Sequence, residues 1–101
     1  LFVVLSNGDI RNRYQIRVTN KLGVAETFAV RIKDLPESAL DLGHLREVTV
    51  KPGHSAILQA SVILEPSVAA RTSEVAFVIT PRTHPNEARI EMAGFHYSGQ
   101  H

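Results

Sequence analysis

The chain has 101 residues, room for one domain with its own core and too few for two. Hydrophobic residues make up 44% and charged residues 21%, which excludes a disordered segment, and a formal charge of +1 gives no sign of a nucleic-acid binder. The absence of cysteine removes disulfides, thiol catalysis, Cys-zinc sites and iron–sulfur ligation from this segment.

The dominant hydrophobic period is two. Residues 1–5 read as a first strand, ended by the turn signal Ser6-Asn7-Gly8-Asp9. Residues 13–19 alternate, with Tyr14, Ile16 and Val18 facing one way and Arg13, Gln15, Arg17 and Thr19 the other. Phe28, Val30 and Ile32 repeat the pattern. Asn20-Lys21-Leu22-Gly23 between the two runs tolerates positive φ and predicts a short hairpin connection.

Leu35-Pro36 breaks the alternation. Residues 47–51 form a short strand with Val48 and Val50 inward, and Pro52-Gly53 is a turn. Residues 55–64 form the longest strand. Leu58, Ala60, Val62 and Leu64 share its inner face, and the extra apolar residues Ile57 and Ile63 suggest a central position or an edge contact. Glu65-Pro66-Ser67 ends it, with a helical turn within residues 68–72. Residues 74–80 form a strand with Val75, Phe77 and Ile79 inward, and residues 81–86 a proline-flanked loop. Residues 88–97 form the last strand, where a bulge near Ala93-Gly94 would put Ile90, Met92, Phe95 and Tyr97 all on the core side.

About seven strands at spacings of roughly ten residues, without a crossover helix, predict an all-β immunoglobulin-like antiparallel sandwich spanning residues 1–101. The paired cysteines and tryptophan of antibody domains are absent, so the likeness is architectural. The sequence starts at Leu1 without a leader or an apolar run of ~18 residues, and reads as a piece of a longer protein.

Site chemistry is sparse. His44, His54, His84, His96 and His101 show no ligand spacing on one element, so they read as surface residues rather than a metal site. Copper(I) would want sulfur donors, and only Met92, expected to be buried, is present. Ser55 or Ser61 with His54 and Asp41 could be named as a hydrolytic set, but nothing places them together. Glu87 and Glu91 on one strand would lie about 13 Å apart, too far for a catalytic carboxylate pair, and read as solvated. Asn12 and Asn20 are expected to cap the turns flanking a strand, and Tyr14 to be a core aromatic whose hydroxyl reaches the backbone. No residue is assigned as catalytic, cofactor-binding or metal-binding.

The segment Gly8-Asp9-Ile10-Arg11-Asn12-Arg13-Tyr14, followed by Asn20-Lys21, resembles the C-terminal domain of the FixG/CcoG family. Leu35-Pro36, the Val48-Thr49-Val50-Lys51-Pro52-Gly53 segment and the long strand after it fit in order. Members of that family are membrane-bound polyferredoxins associated with cbb3-type cytochrome oxidase assembly, so the resemblance implies a parent that acts in electron transfer linked to copper handling for the oxidase.

The resemblance implies an immunoglobulin-like appendage on the periplasmic face of the bacterial inner membrane, after the parent's last membrane helix. The parent's 4Fe–4S clusters would lie upstream, with none in this domain. The expected role is non-catalytic: docking other proteins, such as oxidase assembly factors, or supporting self-association. Membrane attachment would run only through the parent's upstream helices. The contact surfaces expected are residues 7–12, 21–25 and 81–86. The alternatives are a weak copper relay through surface histidines and an adhesin-type or carbohydrate-binding sandwich.

Overall fold

A computed structural model describes residues 2–43 and 45–98 of the chain. In chain order its strands are β1 (Val3–Val4), β2 (Ile10–Thr19), β3 (Glu26–Ile32), β4 (Leu40–Asp41), β5 (Glu47–Val50), β6 (Ser55–Leu64), β7 (Glu74–Pro81) and β8 (Arg89–Gly94). They build two antiparallel four-stranded sheets, ordered β1-β2-β6-β4 and β5-β3-β7-β8. The protein is an all-β sandwich of immunoglobulin-like type. One helical turn, α1 (Pro66–Ala69), begins on a proline, whose missing N–H is not needed there. No helix among the described residues is long and apolar enough to cross a membrane.

The core is the inward half of each alternating strand. Ile10, Ile16 and Val18 of β2 meet Leu58, Ala60, Val62 and Leu64 of β6 on one inner face. Phe28, Val30 and Ile32 of β3 join Val75, Phe77 and Ile79 of β7 on the other. The inner side of β6 holds the core, and β6 lies between β2 and β4, the central one of the two placements considered for its apolar excess. Ile57 nonetheless stays exposed on the outer face, opposite Arg17.

Three expectations need correction. Residues 13–19 and 27–33 do not form a hairpin. Strand β2 pairs with β1 and β6, whereas β3 pairs with β5 and β7 in the other sheet. The segment Asn20-Lys21-Leu22-Gly23 is therefore a corner between sheets. Two strands that both bury one face show the same alternation whether they pair side by side or stack face to face.

Asn12 does not cap a turn. It sits inside β2, which starts at Ile10, with its side chain on the buried face.

The last strand carries no bulge. Its register runs unbroken from Ile79↔Arg89 to Glu74↔Gly94. The odd-numbered positions point inward and bury Phe95, while Tyr97 is half-buried. Ile90 and Met92 fall on the outer face opposite Val78 and Ala76 and are 51% and 58% exposed, so Met92 is not a core residue. At the open margin of the sandwich the inward positions Arg89 and Glu91 remain exposed.

Candidate functional site

Polar side chains converge at three places, and each ties separate elements together. The first is the inter-sheet corner. Asn20 is fully buried. Its amide nitrogen donates to the carbonyls of Val24 (2.8 Å) and Val50 (2.9 Å), and its side-chain oxygen accepts from the Leu22 N–H (2.8 Å). Its backbone binds the β5–β6 turn as well, donating to His54 O and accepting from Gly53 N, each at 2.9 Å. Gly53 sits at φ +73°, where a side chain would be strained.

The second is a buried carboxylate. Glu26 opens β3 on its inward face and is 4% exposed. One oxygen accepts from the Thr27 N–H (3.1 Å). The other accepts from the Thr83 N–H (3.3 Å) and the Thr83 hydroxyl, with His84 Nδ1 at 3.6 Å. The Thr83 hydroxyl bond, above all, holds the carboxyl below its ordinary value of 4.5, against the opposing effect of burial. Beside it Arg82 pairs with Glu47. With its oxygens engaged by donors from its own strand and from the β7–β8 connection, Glu26 acts as a pin between them.

Glu26→Gln should therefore weaken the fold in a pH-dependent way. The folded carboxyl titrates lower than the unfolded one, so its contribution is complete above about pH 4.5 and fades as pH falls through the folded value. Urea unfolding of both proteins at neutral and acidic pH checks this. The gap between them should be widest at neutral pH and close in acid; a constant gap would remove the carboxylate's charge from the account.

The third convergence joins the two sheets beside β8. Asn12, 2% exposed, donates to His96 O (3.0 Å) and accepts from the His96 N–H (2.8 Å), much as a neighbouring strand would. One register step away, the Tyr14 hydroxyl donates to Gly94 O (2.9 Å). Burial pushes the Tyr14 phenol up to about 12, which keeps it a neutral donor. The expected backbone bond of the Tyr14 hydroxyl is thus met, with Gly94 as its partner, while its ring is half-buried and packs against the core from its margin. The rings of Phe2 and Tyr97 meet edge to face at 5.6 Å nearby.

The remaining candidates do not assemble. Ser55 bonds Thr19 (2.8 Å), and Asp41 accepts from the Gly43 N–H (2.8 Å). Asp41 lies across from Ser61, six residues along β6 from Ser55, or about 20 Å at strand spacing. Glu87 lies in a turn of 3-10 helix and Glu91 on β8, both exposed. His54 lies in the β5–β6 connection, His84 in the β7–β8 connection and His96 beyond the end of β8, and His44 and His101 lie outside the described residues. Among the described residues, no three His, Cys, Asp or Glu side chains gather into a metal-binding group.

Glu26 and the interior placement of Asn12 were missed from sequence, although the signal was present. Each has the parity of its strand's apolar residues, and a polar residue at an inward position marks a buried group that must find partners.

A family model described as "IG-like fold at C-terminal of FixG, putative oxidoreductase" matches residues 1–96. The chain belongs to this family. Protein RdxB of Cereibacter sphaeroides is 35% identical over 65 residues, which is 63% of this chain and 14% of RdxB. The chain thus matches only a small part of that relative's length. The crystal structure of a FixG-related protein from Vibrio parahaemolyticus superposes with a TM-score of 0.70 at 21% identity, covering 88% of this chain and 80% of that one. That likeness supports the sandwich fold. The family resemblance carried by residues 8–14 and the later Pro-Gly segment holds across nearly the whole chain.

Proposed function

We propose that this domain is a non-catalytic interaction module, the C-terminal periplasmic unit of a membrane-bound iron–sulfur oxidoreductase that serves cbb3-type oxidase assembly and copper handling. The observation that carries this reading is the family match over residues 1–96, whose description puts an immunoglobulin-like unit at the C-terminus of an oxidoreductase. Chain chemistry agrees. With no cysteine, this segment supplies no thiolate to a 4Fe–4S cluster, so the clusters belong elsewhere in the parent. The buried polar groups Asn12, Asn20 and Glu26 are engaged in tying elements together, which makes a rigid body suited to presenting a surface.

Deleting the domain from the parent protein tests the division of labour. Iron and acid-labile sulfide in the purified parent should stay at the full-length level, while the amount of assembled cbb3 oxidase in membranes falls. An unchanged oxidase level would sink the interaction role. Loss of the clusters would show that the domain serves the redox core directly.

A further inference from the structure

Among the described residues, strand β8 is the open edge of its sheet. Which of its backbone groups face outward follows from two hydrogen bonds. Phe95 N–H donates to Ser73 O (2.9 Å), so the odd positions of β8 turn their N–H and C=O toward β7. Lys33 N–H donates to Ala76 O (2.9 Å), so the even positions of β7 serve β3 and its odd positions serve β8, in agreement. The N–H and C=O of Ile90 and Met92 therefore point off the edge. The open stretch ends at Gly94, whose carbonyl already accepts from Tyr14.

Side chains along this edge alternate in a particular way. Ile90 and Met92 project exposed from the outer face, and Arg89 and Glu91 from the inner margin. Neither Arg89 nor Glu91 is in an ion pair among the described residues.

We propose that β8 pairs edge to edge with β8 of a second copy of this chain, antiparallel and centred on Ile90. The charges select this register. A two-fold axis through Ile90 sets Arg89 opposite Glu91 of the second copy, and Glu91 opposite its Arg89. The Ile90 side chains then meet each other, and Met92 meets Ala88. Ile90 lies at a hydrogen-bonding position, so the outward-facing N–H and C=O groups of the two copies satisfy one another.

Shifting the centre by one residue pair does not work. Centring on Glu91 opposes two carboxylates, and centring on Arg89 opposes two guanidinium groups; like charges directly opposite are unfavourable. Charges at an inward edge position ordinarily deter pairing. Opposite charges two residues apart make one register an exception. The inference rests on the reading of the domain as an interaction module, and the tests separate. A monomer would overturn self-pairing, whereas the deletion experiment bears on the module reading itself.

Sedimentation equilibrium of the chain up to about millimolar concentration should show a reversible dimer. Glu91→Arg and Arg89→Glu should each weaken it about tenfold, because two attractive cross-strand pairs become repulsive. The double reversal R89E/E91R should restore it to within about threefold. Amide exchange in the unaltered chain gives a readout independent of the variants. Ile90 and Met92 should gain protection as concentration rises, while Arg89 and Glu91, already bonded to β7, should not change. A monomer throughout, a dimer indifferent to the single reversals, or unaltered exchange at Ile90 and Met92 in a dimeric sample would each overturn the proposal.

Discussion

Phe77→Ala should destabilise the chain by about 3–5 kcal/mol, the range for emptying a buried aromatic site. Phe77 is 2% exposed on β7, between Ile32 of β3 and Glu91 of β8 in the ladder. Its ring meets Tyr14 of the opposite sheet at 5.3 Å and 68°, an edge-to-face contact across the core. Truncation would remove the aromatic surface, leave a void that rigid sheets close poorly, and free the Tyr14 ring that carries the hydroxyl to Gly94. A domain of this size has only about 5–15 kcal/mol to lose. Phe28, 7% exposed near the start of β3, should fall toward the lower end of the same range. Urea denaturation of the single variants measures both. A loss below about 1 kcal/mol at Phe77 would contradict its placement in the core.

The strands and their buried faces were legible because one physical fact dominates them. A half-buried strand repeats every two residues, and Tyr14, Ile16 and Val18, or Val75, Phe77 and Ile79, leave no other way to hide their apolar atoms. Sheet membership was not legible. Alternation says which side of a strand is dry, but not which strand lies beside it, so the β2–β3 corner read as a hairpin.

The last strand failed for a related reason. Ile90 and Met92 looked like core by composition, and a bulge was needed to reconcile them with Phe95. The fold takes the opposite parity, hides Phe95, and leaves the two large apolar side chains in water. Local pattern carries no cost for an exposed apolar pair; only the neighbouring strand decides it. Glu26 was hidden by the opposite bias, since a carboxylate at the start of a strand is usually solvated.

Asn20→Ala should cost about 2–5 kcal/mol, although it deletes only a small polar side chain. The substitution leaves the Val24 and Val50 carbonyls and the Leu22 N–H without their side-chain partner, in a corner where Asn20 itself has no exposed surface. Each buried group left unpaired costs about 1–3 kcal/mol, less where water can follow the vacated space. The backbone bonds from Asn20 to His54 and Gly53 survive the change, so the loss isolates the side chain.

Asn20→Asp sharpens the test. Aspartate can still accept from Leu22 N–H but brings an ionised oxygen against two carbonyls, so at neutral pH it should be at least as damaging as alanine. Burial and those carbonyls would raise its folded pKa above the unfolded one. The penalty should then be full above the folded value and shrink as pH falls below it, opposite to the trend for Glu26. Urea unfolding across pH measures both trends. If Asn20→Ala costs less than about 0.5 kcal/mol, water reaches the corner and the side chain is not what joins the two sheets there. If the loss falls in the expected range, one side-chain amide holds the corner between β2 and β3 to the end of β5, and the stability of the whole sandwich depends on that junction.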